Sequence, residues 1–126
     1  MAEVFEISVD AEFSAAHALA GHAGDCARLH GHTFGVTAFV RCVRLDDMGM
    51  GVDFLRVRDS MGEILSVLDH RNLNELPAFS GENPTAENLA RHVFRELAAR
   101  LNGPGVAVSR VRVSEGPGMA VTFWEE

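Results

Sequence analysis

Lysine and tyrosine are both absent from this chain of 126 residues. Without Lys there is no amine for Schiff-base chemistry, and all eleven basic residues are Arg. Without Tyr there is no phenol to act as acid or base. Cysteine is scarce. Only Cys26 and Cys42 occur, their spacing matches no disulfide framework, and the expectation is a reducing cytoplasm with both thiols free. The N-terminus lacks a signal-peptide core, and no apolar run approaches the length of a membrane span. Positive charge is also short. A formal net charge of -7 argues against a general nucleic-acid binder, although a few well-placed Arg residues leave an anionic substrate open.

What is present fits one folded domain over residues 1–126. Hydrophobic residues make up 47% of the chain, with no low-complexity tract or linker, so the length suffices to bury a core. From Val4 to Phe13 the pattern alternates, with Phe5, Ile7, Val9, Ala11 and Phe13 on one face of a half-buried strand. Small residues and Gly from about Ala15 to Leu29 read as a loop. A second strand is expected from His32 to Val43, with Phe34, Val36, Ala38, Val40 and Cys42 on one face. Asp53 can cap a helix whose stripe is Phe54, Val57, Met61, Leu65 and Leu68. Asn83 or Thr85 can cap a second helix, with Pro84 in its first turn and Leu89, Val93, Phe94, Leu97 and Leu101 buried. Two more strands, Val106 to Ser114 and Met119 to Trp124, complete a ββααββ order. The fold class is α+β, with two helices on one face of a four-stranded antiparallel sheet. Such a sheet has two open edges, which points to oligomerisation.

The chemistry is concentrated in Cys26-Ala27-Arg28-Leu29-His30-Gly31-His32. On an extended backbone His30 and His32 point to the same side, and Gly31 leaves room for close approach. With His17 they make a candidate three-imidazole zinc site, since Zn²⁺ accepts nitrogen ligands and catalytic sites keep one position open. Cys26 has three readings: a small buried hydrophobe, a fourth ligand closing a structural site, or a thiolate base beside the metal. Cys42 has the parity of the core face. Asp69 and His70 are either a solvated helix-end pair or a carboxylate holding an imidazole in one tautomer. Glu115 is either a solvated strand-end charge or a carboxylate for a planar N–H/NH₂ edge, such as pterins and guanines present.

Taken together, Phe13-Ser14-Ala15-Ala16-His17, Cys26 to His32, Leu68-Asp69-His70-Arg71-Asn72-Leu73-Asn74, Asn83-Pro84-Thr85-Ala86-Glu87-Asn88 and Glu115 resemble the 6-pyruvoyl-tetrahydropterin synthase family. The three-residue gap between Cys26 and His30 is similar to the bacterial branch, the 6-carboxy-tetrahydropterin synthases of queuosine biosynthesis. The resemblance implies the T-fold, in which subunit sheets join into a barrel, and trimers stacked as hexamers with sites at subunit interfaces. It implies Zn²⁺ on His17, His30 and His32, with Cys26 as the proton-abstracting base. Asp69 and His70 would be a relay from a neighbouring subunit, and Glu115 the pterin anchor with Thr85 nearby. The implied substrate is 7,8-dihydroneopterin triphosphate, converted to 6-carboxy-5,6,7,8-tetrahydropterin with release of acetaldehyde and triphosphate. Arg28 is a candidate triphosphate contact. The alternatives are a pyruvoyl-forming synthase, a pterin- or purine-binding protein of the same fold, and a structural zinc module. Gly-Pro-Gly follows Glu115 where relatives often carry Thr-Pro.

Overall fold

The computed structural model describes residues 2–126. Its elements are β1 (Phe5–His17), β2 (His30–Cys42), α1 (Phe54–Ser66), α2 (Ala86–Leu101), β3 (Val106–Gly116) and β4 (Met119–Phe123). The strands form one antiparallel sheet in chain order, and the helices pack together on one face of it. This is the expected ββααββ arrangement. Among the described residues, no helix is long and apolar enough to cross a membrane.

Alternation dictates the sheet. On β2, Phe34, Val36, Ala38, Val40 and Cys42 are all buried, and Phe13 on β1 stacks on Phe34 with centroids 4.9 Å apart. The apolar face of β1 sinks progressively along the strand, from an exposed Phe5 to a fully buried His17. β1 also runs four residues past the expected end at Phe13, and β2 begins two residues before the expected His32. Ser14, Ala15 and Ala16 carry no strand signal of their own. They are extended because each finds a cross-strand partner, Ser14 with Thr33, Ala15 with His32 and Ala16 with Gly31.

Asp53 caps α1 by accepting from the Leu55 amide at 2.8 Å. Phe54 departs from the expected stripe and is 61% exposed, because the first helical turn overhangs a surface groove with Phe5, Ile7 and Leu45. Leu68 lies beyond the helix end yet is fully buried. Of the two candidate caps of α2, Thr85 takes the role, its hydroxyl accepting from the Asn88 amide at 3.1 Å. Pro84 is therefore outside the first turn, which frees its carbonyl for another partner.

Residues after α1 close part of the outer edge of β1. The Ser14 amide donates to Asp69 Oδ1 at 2.9 Å, the His70 amide to the Ser14 carbonyl, and the Ala16 amide to the Arg71 carbonyl at 2.9 Å. Ala16 and Asn72 form a parallel bridge. At the other side of the sheet, the β3–β4 register slips between Ser114 and Gly116, leaving Glu115 as an unpaired bulge residue. Bulges re-aim side chains, and this one turns Glu115 toward the buried end of β1 and β2.

Candidate active site

The β1–β2 register sets the centre of the site. His17 lies directly opposite His30, and His32 lies opposite Ala15, two positions along on the same face. The three rings meet edge to face with centroids 4.6 to 5.2 Å apart. One ligand atom from each lies within 4.8 Å of the others, a group able to hold a metal ion.

Two main-chain carbonyls orient these rings. His17 Nδ1–H donates to the Pro84 carbonyl at 2.7 Å, and His30 Nδ1–H donates to the Arg28 carbonyl at 2.7 Å. Each bond turns the Nε2 lone pair toward the centre, the arrangement that metal-binding histidines use. Burial holds the His17 imidazole below its ordinary value of 6.5, so the neutral ligand form is favoured. Nε2 of His17 and Nε2 of His32 are buried without any hydrogen-bond partner. A buried polar atom left so costs about 1–3 kcal/mol, a penalty that a coordinated cation removes. Three neutral imidazoles and these two orphaned lone pairs fit Zn²⁺ with a position left open.

Glu115 comes to the edge of this group. Its carboxylate oxygens stand 4.0 Å from His17 Nε2 and 3.8 Å from His32 Nε2. The same side chain lines a cleft of about 350 Å³ with Ala86, Glu87, Met119 and Val121, at the start of α2 beside Thr85. Glu87 is a second carboxylate there that the sequence reading passed over. Its one signal was an acid two residues after a helix cap, which ordinarily serves the helix dipole.

Cys26 is half-buried in a 3-10 turn, Asp25–Ala27, and is not part of the metal-binding group. Cys42 is fully buried, as its parity implied, and burial pushes its thiol up. Arg28 contributes its carbonyl to His30, while its side chain is exposed.

Asp69 and His70 do touch, although as chain neighbours they need not. His70 adopts φ 57°, which swings its ring back so that Nδ1–H donates to Asp69 Oδ2 at 2.8 Å. The Ser14 amide, with help from His70, holds the Asp69 carboxyl below the usual carboxylate range. The His70 side chain is 82% exposed. With Arg71 and His32 it borders a cleft of about 480 Å³ floored by Ser14, Ala16, Gly31 and Thr33. Among the described residues no hydrogen bond joins Cys26 to Asp69 or His70.

Comparison with known proteins decides the family. The model for 6-pyruvoyl tetrahydropterin synthase matches residues 6–126. The chain belongs to the 6-pyruvoyl tetrahydropterin synthase family. A relative from Archaeoglobus fulgidus, a putative 6-carboxy-5,6,7,8-tetrahydropterin synthase, is 36% identical over 115 residues, covering 91% of each chain. A dihydroneopterin monophosphate aldolase from Pyrococcus furiosus is 34% identical over 106 residues, covering 84% of this chain and 85% of that one. The structure of 6-pyruvoyl tetrahydropterin synthase from Caenorhabditis elegans superposes with a TM-score of 0.87 at 25% identity, covering 99% of this chain and 98% of that one. The family to which this chain belongs thus carries a pterin synthase role, and the T-fold subunit is common to both structures.

Proposed function

We propose that this family member is a zinc-dependent 6-carboxy-5,6,7,8-tetrahydropterin synthase acting on 7,8-dihydroneopterin triphosphate in the cytoplasmic synthesis of queuosine-type 7-deazapurines. The observation that carries the reading is the trio of imidazoles with two buried, unpartnered Nε2 atoms beside the Glu115 carboxylate. Several relatives named 6-carboxy-5,6,7,8-tetrahydropterin synthase support the product assignment.

When bound to His17, His30 and His32, Zn²⁺ supplies Lewis-acid polarisation of the substrate's side-chain oxygens and so acidifies the neighbouring C–H. The protein's own groups do the rest. Glu115 accepts the N–H/NH₂ edge of the pterin through two parallel hydrogen bonds, with Thr85 close by. Cys26 removes the side-chain proton as a thiolate. Asp69 keeps His70 in the tautomer whose Nε2 faces outward, ready to carry that proton onward. Electrons from the broken C–H bond flow into the ring, giving the tetrahydro level without an external reductant. Triphosphate leaves, water enters, and the two terminal side-chain carbons depart as acetaldehyde. The exposure of His70 is in keeping with a site completed between subunits, where the relay of one copy serves Cys26 of the next.

The Pyrococcus relative favours a second reading, aldol cleavage of a dihydroneopterin monophosphate. The same base and metal serve that reaction, but the ring stays at the dihydro level. Incubating the zinc-loaded protein with each substrate and identifying products by mass separates the two. Acetaldehyde with a carboxypterin supports the synthase. A dihydropterin without acetaldehyde replaces it with the aldolase.

A further inference from the structure

The segment between His17 and Cys26 is held by two asparagines that no catalytic role accounts for. Asn74 accepts from the Ala18 amide at 2.8 Å through Oδ1 and donates to the Ala18 carbonyl at 2.8 Å through Nδ2. Asn83 repeats the pattern on Ala20, accepting from its amide at 2.9 Å and donating to its carbonyl at 2.9 Å. A carboxamide carries a donor and an acceptor side by side, so each side chain mimics a paired strand for a single residue. Leu19 lies between the two clamped residues, and its amide donates to the Cys26 carbonyl at 2.8 Å. The clamps therefore act on the one residue that holds Cys26 by its main chain.

The clamps are themselves fixed. Asn74 follows the 69–72 segment paired to β1, and its amide bonds to Asn72 Oδ1 at 3.1 Å. The Asn83 carbonyl accepts from Asn88 Nδ2 at 2.8 Å, which ties it to the first turn of α2. The next carbonyl, that of Pro84, orients His17. One short stretch before α2 thus sets both a metal-site ring and the backbone that carries the thiol.

We propose that Asn74 and Asn83 are positioning residues for Cys26: their paired amide clamps on Ala18 and Ala20 hold Leu19, and through it Cys26, in register with the three histidines. The assignment rests on Cys26 working beside that group, but its test does not require turnover. Asn→Ala would remove the whole clamp, whereas Asn74→Asp and Asn83→Asp keep the shape and the acceptor and replace the donor with a repelling oxygen. Cys42 is fully buried, so alkylation of the folded, zinc-loaded protein by iodoacetamide reports Cys26. In each Asp variant we expect unchanged zinc stoichiometry and Cys26 alkylation faster by about threefold or more, as the segment opens locally. An alkylation rate closer than that to the parent's, in a variant that folds and holds zinc, overturns the proposal. Should a variant fail to fold, hydrogen exchange on the parent decides. Ala18, Leu19 and Ala20 amides protected well beyond those of Ala23 and Asp25 support the clamp, and equal exchange refutes it. A protein inactive on both pterin substrates yet showing the alkylation difference would reject the proposed reaction and leave the clamp standing.

Discussion

His17 and His30 are direct partners across the β1–β2 ladder, the last pair before the strands part. A cross-strand pair brings Cβ atoms to about 4.5–5.5 Å, so register alone delivers two imidazoles to one point. Gly31 and the two-residue period then add His32. A metal-binding group built this way depends on strand pairing rather than on loop conformation, and Cys26, on a loop, is free to have a different task.

That separation predicts the behaviour of Cys26→Ala. The variant should retain one zinc per subunit by elemental analysis and lose turnover by about a hundredfold or more, as expected for a missing base. Zinc lost in proportion to the substitution would instead make Cys26 a ligand and end its assignment as base.

Stability of the metal-stripped protein should depend on His17. Burial lowers its pKa in the fold below the ordinary 6.5. The unfolded chain therefore takes up the proton first as pH falls. The contribution is complete above 6.5 and is lost as pH drops through the folded value. Thermal unfolding from pH 8 to about pH 5 should show a falling Tm in the parent, and a shallower fall in His17→Asn. Identical slopes would remove His17 as the source.

Two glycines should respond differently to Ala. A Cβ at Gly51 would stand 2.6 Å from Cys42 Cβ and 2.8 Å from its sulfur, inside the core. Cβ cannot move without backbone, so Gly51→Ala should cost about 1–3 kcal/mol in chemical denaturation. At Gly35 the new methyl meets Ser114 Oγ at 2.6 Å, but that hydroxyl can rotate away. Gly35→Ala should therefore be the milder of the two, and the reverse order would contradict the packing.

Most of the fold was legible because periodicity is written in apolar residues. Phe34 to Cys42 and Leu89 to Leu101 announce a strand and a helix without help. The end of β1 was not legible, since Ser14-Ala15-Ala16 takes its extension from β2 and from the 69–72 segment rather than from its own side chains. At the site, the H-G-H pair signalled ligands through strand parity alone, and His17 needed the register. The Asp69–His70 contact was hidden by a left-handed residue, and Glu115 by a bulge, neither of which has a side-chain signature. Asn74 and Asn83 read as ordinary loop residues until their main-chain partners, more than fifty positions away, were in view.

The exposed Asp69–His70 pair yields a test that separates a site within one subunit from a shared one. Cys26→Ala and His70→Ala should each be nearly inactive as pure assemblies. If the relay of one subunit serves the thiol of its neighbour, subunits mixed by reversible unfolding restore some intact sites. With random placement about a quarter of the interfaces pair an unaltered Cys26 with an unaltered His70, because a cyclic assembly repeats one heterologous contact. Activity near that fraction of the parent's is the expected result. If thiol and relay belonged to one chain, every subunit would carry a lesion in its own site, and the mixture would stay as inactive as its parts.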